Sequence, residues 1–302
     1  MKAVVYTEYG GPEVLHVAEV DEPHAGAGQI RIAVRGAGVN PFDWKLRSGA
    51  MAQGRPLEEP RIPGSDASGV VDEVGEGVDG VSAGDALFGF TVGGASAEYA
   101  LLGVYARKPS GLSFEEAAGY PVAVETAIRG LDLLGVGAGD TLLVNGATGG
   151  VGSAVVQFAV ARGARVIGIA GERNHDYLRQ LGAEPVAYGE GMTDRVRELA
   201  PDGVDYAFDV AGSGVIPELI ELAGSPDNVI SIADFSAPEH GVRVTSGRGD
   251  RAAEALAEAA RLHEEGRFSI PIERTFPFSQ AAEAHRLSET GHVRGKIVLV
   301  PD

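Results

Sequence analysis

Over residues 1–108 the apolar positions fall in short runs separated by glycine and proline. Runs at 3–6, 15–20, 30–39, 69–75, 84–90 and 97–102 carry the Val, Ile, Leu, Tyr and Phe content of half-buried strands. Many short strands at close spacing predict a barrel-like or sandwich domain. Residues 40–63 interrupt that pattern with Pro41, Pro56, Pro60 and Pro63, and are expected to form a loop. From Ser113 the period lengthens. Ser113 with Glu116 three residues on is a capping-box signature for a helix beginning at Phe114. A longer helix is expected over 122–134, stopped by Gly135.

Strands and helices then alternate. Strands are expected at 141–144, 165–170, 185–188, 204–210 and 228–233, with helices at 176–181, 193–200 and 216–223 among them. Such alternation predicts a parallel doubly wound sheet. An amphipathic helix over 251–265, a strand at 272–276, a helix over 279–289 and a strand at 295–300 close the chain. The expected division is a β-rich domain over 1–119, an α/β domain over 120–266, and a return segment over 267–302 that completes the first domain.

Within the α/β stretch the most informative segment begins at Asp140. The apolar run Thr141-Leu142-Leu143-Val144 leads into Gly146-Ala147-Thr148-Gly149-Gly150-Val151-Gly152. A helical segment with Val155, Val156, Phe158, Ala159 and Val160 follows, and a second strand ends at Gly171. Strand, glycine turn, helix and strand form one βαβ unit. Residues 147–152 fit G-x-G-x-x-G with Ala147 in place of the first glycine. Gly149 would let the backbone approach a pyrophosphate, and Gly152 would let helix pack closely on strand. A helix starting near Gly150 would aim its free N–H groups at the phosphates. The turn is therefore expected to bind a dinucleotide.

Composition narrows the class. The chain has 302 residues, 44% hydrophobic and 23% charged, as in a globular protein with a sizeable core. Its net charge of −18 opposes nucleic acid or an anionic membrane surface as partner. There are no cysteines, which removes disulfides, thiolate zinc sites and cysteine nucleophiles, and suits a cytoplasmic location. No apolar run reaches membrane-spanning length, and the N-terminus shows no signal-peptide pattern. None of the seven histidines shows H-x-x-x-H or H-E-x-x-H spacing, so no metal is expected.

Several further motifs occur in one order: Gly38-Val39-Asn40-Pro41-x-Asp43-x-Lys45-x-Arg47-x-Gly49, then Pro63-Gly64-x-Asp66-x-x-Gly69, then Gly84-Asp85. The glycine turn and Gly291-His292-x-Arg294-Gly295-Lys296 complete the series. Together they resemble the zinc-independent quinone oxidoreductase branch of the medium-chain dehydrogenase/reductase superfamily, over essentially the whole chain. The resemblance implies an α/β protein with a GroES-like β-rich catalytic domain and a Rossmann-type cofactor domain. It also implies hydride transfer from NADPH to a quinone or an α,β-unsaturated carbonyl (enone), and a homodimer joined through the cofactor domain. Zinc-dependent relatives carry Cys where Asn40 stands and His-Glu where Ser65-Asp66 stand. Other members of the superfamily imply two alternatives, an enoyl-thioester reductase and a non-catalytic, crystallin-like NADPH-binding protein. Related enoyl reductases place a tyrosine after the position of Asn40, and residues 42–60 contain none.

Candidate site residues follow from both lines. After the second strand stand Gly171-Glu172-Arg173-Asn174. A guanidinium suits the 2′-phosphate of NADP(H) through charge-assisted bonds, whereas Glu172 opposes it if it points inward. The resemblance adds Tyr188 at the same phosphate, Thr126 facing the nicotinamide, and Ala147, Thr148, Gly149, Gly150, Val151, Gly171 and Asn174 along the dinucleotide. It places Asn40 near the carboxamide or ribose, and Arg294 and Lys296 as structural or ribose-facing. Lys45 is the candidate electrophile, an ammonium able to polarise a carbonyl as hydride arrives. Asp43 and Arg47, four apart, are expected to form a structural ion pair, and Asp66 to order its loop. The edge near 228–233 and 242–245 is the expected dimer surface.

Overall fold

The computed structural model describes all residues, Met1–Asp302. It divides into two units, Met1–Val122 with Ala252–Asp302, and Ala123–Arg251.

In the first unit, β1 (Lys2–Val5) and β2 (His16–Glu19) pair antiparallel as a two-stranded sheet. The main sheet contains β3 (Ile30–Val39), β4 (Asp66–Val74), β5 (Ala86–Val92), β6 (Tyr99–Arg107), β13 (Ile272–Pro277) and β14 (Lys296–Val300). Its order is β13-β14-β3-β4-β5-β6, with a further β3–β6 pairing that closes the sheet on itself. Closure removes two edges that would otherwise be open. β3 makes it possible by being long and twice bulged, at Arg31/Ile32 and Val34/Gly36. Its first half pairs with β6 through Ile30–Ala33, and its last residues pair with β14 through Val39↔Ile297. Ile30, Ile32, Val34, Leu87, Leu102, Phe276 and Leu299 fill the interior.

Three features depart from the sequence pattern. Residues 41–47, expected to be loop, form the helix α1 (Pro41–Arg47). Asn40 is its N-cap residue, Pro41 opens it, and Asp43 accepts the Asn40 N–H at 2.8 Å; Val-Asn-Pro is a helix start here and not merely a turn. Asp43 and Arg47 do not pair. Arg47 is buried against Glu289, the Gly10 carbonyl and His285 instead. Finally α8 (Ala252–Glu264) groups with the first unit, although the α/β domain is expected to run to 266. Side-chain contacts explain this: His263 Nδ1 lies 3.1 Å from the Tyr120 hydroxyl, and Phe268 packs edge-on against the Tyr120 ring.

The second unit is a six-stranded parallel sheet of β7 (Thr141–Asn145), β8 (Arg165–Ala170), β9 (Glu184–Ala187), β10 (Tyr206–Asp209), β11 (Val229–Ser231) and β12 (Arg243–Val244), in the order β12-β11-β10-β7-β8-β9. Its buried strands read as continuous apolar runs because helices cover both faces. Those helices include α4 (Gly150–Ala161), α5 (His175–Gln180), α6 (Met192–Leu199) and α7 (Ile216–Ala223). After the short helix α2 (Phe114–Ala118) of the first unit, the helix α3 (Pro121–Leu134) begins at the division point and runs into this unit. β7 lies between β8 and β10, so the strand order reverses at its carboxyl end, where open α/β sheets bind ligands.

Candidate active site

At that reversal point the chain makes a cradle largely from backbone. β7 ends at Asn145, and Gly146 turns with φ +82°, which favours glycine. Gly149 is the N-cap of α4, and a Cβ placed on it would meet no heavy atom nearer than the Gly146 oxygen at 3.9 Å. Open space at a helix N-terminus, with the first N–H groups lacking intrahelical acceptors, fits a pyrophosphate. Gly152 is the opposite case. A Cβ there would sit 2.1 Å from the Gly146 oxygen, so the helix can approach the turn only through glycine. Ala147 is fully buried, and Thr148 nearly so.

The turn after β8 closes one side of this cradle. Asn174 donates to the Thr148 hydroxyl at 3.4 Å, joining two candidate cofactor residues. Gly171 opens the single turn Glu172–Asn174, and a Cβ on Gly171 would lie 3.4 Å from the Tyr188 ring. Tyr188 is 63% exposed, and Glu172 and Arg173 are exposed as well. The Tyr188 ring thus lies against Gly171 at the end of the second strand of the βαβ unit, and Arg173 follows two residues later in the chain.

The second unit also holds two polar networks that the sequence pattern does not single out, the first of them tied to the cradle through Asn145. Asp209, at the end of β10, is buried without a cation; it accepts from Asn145 Nδ2 at 2.8 Å, from Ser231 Oγ at 2.6 Å and from the N–H groups of Ala211 and Gly212. The ends of three adjacent strands are tied by one carboxylate. On α3, Glu125 accepts from Arg129 at 2.8 Å and from the Gly249 N–H at 2.8 Å, while Arg129 also reaches Thr245 and Thr126. This clamp fixes the segment after β12 and brings a guanidinium to the candidate Thr126. The four-residue spacing of Glu125 and Arg129 was its only sequence signal.

The first unit, taken by itself, holds a buried charged cluster. Asn40, Asp66 and Lys296 stand at the ends of the adjacent strands β3, β4 and β14. Lys296 Nζ donates to Asn40 Oδ1 at 2.5 Å and to Asp66 Oδ2 at 3.2 Å, and Asn40 Nδ2 donates to Asp66 Oδ2 at 2.9 Å. Asp66 Oδ1 accepts the Val122 N–H at 3.0 Å. Burial pushes the Asp66 carboxyl upward, against the pull of Lys296 and Asn40. Asp43 is pushed up to about 7, first by burial, with the nearby Asp66 charge adding to it. Gly38, opposite Asp66 in the ladder, leaves room for this packing: a Cβ there would be 2.4 Å from the Ala118 oxygen.

The remaining candidates are more exposed. Lys45 is half-buried on α1, its Nζ 5.7 Å from the centre of the Trp44 ring. Arg294 is exposed on the turn before β14. No three His, Cys, Asp or Glu side chains converge as metal ligands, and Asn40 with Lys296 is not a zinc-binding donor set.

Comparison with known proteins places the chain in a family. The alcohol dehydrogenase GroES-like domain matches residues 26–130, and the domain described as zinc-binding dehydrogenase matches residues 181–299. The chain is 33% identical to the NADPH-dependent alkenal/one oxidoreductase, chloroplastic, of Arabidopsis thaliana, over 100% of this chain and 80% of that one. It is 31% identical to the quinone oxidoreductase of Rattus norvegicus, over 99% and 98% of the two. A mycobacterial protein solved in complex with NADPH superposes with a TM-score of 0.85 at 27% identity, covering 100% of both. The chain belongs to the medium-chain dehydrogenase/reductase superfamily. Within it, it falls in the group of quinone oxidoreductases and alkenal/one reductases.

Proposed function

We propose that this protein is an NADPH-dependent oxidoreductase that reduces quinones or enones, without a catalytic metal. The observation that carries the reading is the cradle at the reversal point of the parallel sheet: open space at Gly149, a helix N-terminus behind it, and the Tyr188 ring against Gly171 with the exposed Arg173 two residues on. Ala147, Thr148, Gly149, Gly150 and Val151 would hold the pyrophosphate, with Asn174 bracing Thr148. Arg173 and Tyr188 would hold the 2′-phosphate, and Thr126, Asn40 and Arg294 the nicotinamide half.

When bound, NADPH supplies the hydride. The chain supplies position and charge. Asn40 and Lys45 act at the reducing end: Asn40 donates to an oxygen of cofactor or acceptor, and the Lys45 ammonium stabilises negative charge developing on the acceptor carbonyl oxygen. Phe42, exposed on the same helix as Lys45, offers an apolar contact to a planar acceptor. The absence of a tyrosine from residues 42–60 weighs against an enoyl-thioester reductase. A second copy would pair at the open edge of the parallel sheet, at β12.

The test is NADPH oxidation with a panel of simple quinones, short enones and a crotonyl thioester. The expected outcome is turnover of quinones or enones, unaffected by chelators, with a lower kcat/KM for the thioester. Tight NADPH binding with no turnover of any acceptor would instead mark a nucleotide-binding protein without catalysis.

A further inference from the structure

The contacts of Asn40 decide which of its hydrogen-bonding faces a ligand can meet. A carboxamide carries an oxygen that only accepts and a nitrogen with two hydrogens that only donates. An ammonium can only donate, so the Asn40 atom 2.5 Å from Lys296 Nζ must be the carbonyl oxygen. A carboxylate oxygen only accepts, so the atom 2.9 Å from Asp66 must be the nitrogen. Turning the amide over would set N–H against ammonium and oxygen against carboxylate. The two charged groups also bond each other at 3.2 Å, which closes a ring of three side chains. All three are buried, Lys296 to 4% exposure.

The backbone leaves the ring little freedom. Val39 pairs with Ile297 and Gly38 with Asp66, so the three side chains leave neighbouring points of three hydrogen-bonded strands. The Lys296 N–H is held by the Pro271 carbonyl at 3.0 Å, and Asp66 by Val122. Gly295, with φ +74°, would carry a Cβ only 2.0 Å from the Pro271 oxygen, so the approach of the chain to Lys296 also requires glycine.

We propose that Lys296 and Asp66 are positioning residues that hold Asn40 as a hydrogen-bond donor to an acceptor oxygen of the bound cofactor or substrate. The inference rests on the assignment of Asn40 to the active site made above. One Nδ2 hydrogen remains after the bond to Asp66, and it selects a carbonyl or hydroxyl oxygen over an N–H group. Lys296 then acts through Asn40 and does not itself contact the ligand.

The test is a double-mutant cycle on the full chain, with NADPH and a simple benzoquinone as probes. Asn40→Ala and Lys296→Met are each expected to lower kcat/KM tenfold or more. The double variant is expected to lose no more than about twofold beyond Asn40→Ala, because the lysine has nothing left to orient. Independent, multiplying losses, or an unaffected Lys296→Met, would overturn the positioning role while leaving Asn40 in the site. A harmless Asn40→Ala would overturn the site reading itself and the inference with it. Because Lys296→Met leaves Asp66 buried and unpaired, Asp66→Asn/Lys296→Met, which removes both charges, is measured beside it. It is expected to fold and to show the same loss; a folded charge-free variant with wild-type kcat/KM would overturn the proposal. Polarity is read with the 3-acetylpyridine analogue of NADPH, which keeps the carbonyl and lacks the amide N–H groups. The wild-type to Asn40→Ala ratio should persist with it, and collapse of that ratio would show that Asn40 accepts instead.

Discussion

The cofactor cradle and the Asn40–Asp66–Lys296 cluster hold their shapes by different physics. The cradle is backbone: a positive-φ glycine, a close approach at Gly152, open space at Gly149 and a helix end. The cluster is side chain: two charges and an amide buried where three strands meet. A backbone site tolerates change wherever space is free and fails wherever it is not. A buried ion pair fails asymmetrically, since removing one partner strands the other in a medium that solvates it poorly. The cradle should therefore break by sterics, and the cluster by charge.

Asp66→Ala tests the charge side most severely. It strands the Lys296 ammonium, and breaking a buried pair in this way costs about 3–5 kcal/mol. Chemical denaturation should show a loss of that order, with a much smaller loss for Asp66→Asn/Lys296→Met. Equal losses for the two variants would mean that packing, and not charge, dominates there.

Gly152→Ala tests the steric side. Its Cβ would meet the Gly146 oxygen at 2.1 Å, and backbone on both sides must shift. Overpacking of this kind costs about 1–3 kcal/mol, and NADPH affinity should fall with it. A variant as stable as wild type would show that the helix and turn have slack.

Two buried groups of the first unit should tilt its stability with pH in opposite directions. His285 of the first unit is pulled down to about 3 by burial, with Arg47 adding to it. Between about pH 6.5 and 3 the unfolded chain takes a proton that the folded one refuses, so stability falls as pH falls, by about 1.4 kcal/mol per unit. Asp43, pushed up to about 7, has the opposite sign. The folded chain keeps a proton that the unfolded one has released, so stability falls as pH rises from about 4 to 7. In wild type the His285 slope opposes that of Asp43 over about pH 4–6.5, and Asp66, whose carboxyl burial also pushes upward, adds to the Asp43 side. Relative to wild type, Asp43→Asn should turn the profile towards stability that rises with pH over that window, and His285→Gln towards stability that declines. Denaturation at three pH values checks both signs; profiles parallel to wild type would refute them.

Arg173→Ala moves the test to the ligand. A charge-assisted contact is worth about 1.5–3 kcal/mol, so NADPH binding should weaken roughly tenfold to a hundredfold while NADH binding is spared. Titration with both cofactors decides it. Equal weakening of both would remove Arg173 from the 2′-phosphate.

The same contrast explains what the residues disclosed in advance. The cradle was legible because its parts are contiguous: strand, glycine turn, helix and strand follow one another, and each is a local pattern. The close packing of Gly152 is readable from the sequence alone, since its reason is steric and lies within a few residues. The cluster could not be assembled that way. Lys296 is separated from Asn40 by 256 positions and from Asp66 by 230, and only the strand order β14-β3-β4 brings them together. α1 was hidden for a different reason. Asn40-Pro41 reads as a turn unless Asp43, at the third helical position, is counted with it. The place of α8 was not legible because its partner, Tyr120, is a tertiary neighbour.

The smallest expected effect on folding separates the cradle's two roles. Gly149 has φ −71° and ψ 178°, a conformation open to any residue, and a Cβ there meets nothing nearer than 3.9 Å. Gly149→Ala should leave stability within about 0.5 kcal/mol of wild type, since the unfolded chain loses some freedom and the folded one gains no clash. The space that makes it harmless to the fold is the space proposed for the pyrophosphate. A methyl group there keeps phosphate oxygens from the N–H groups at the start of α4, so NADPH and NADH should both bind more weakly, by a similar factor. That outcome differs from Arg173→Ala, where only NADPH suffers, and from Gly152→Ala, where stability falls as well. Thermal denaturation of the free protein beside titration of both cofactors makes the distinction. Unchanged affinity with unchanged stability would show that the open space at Gly149 is not where the phosphates lie.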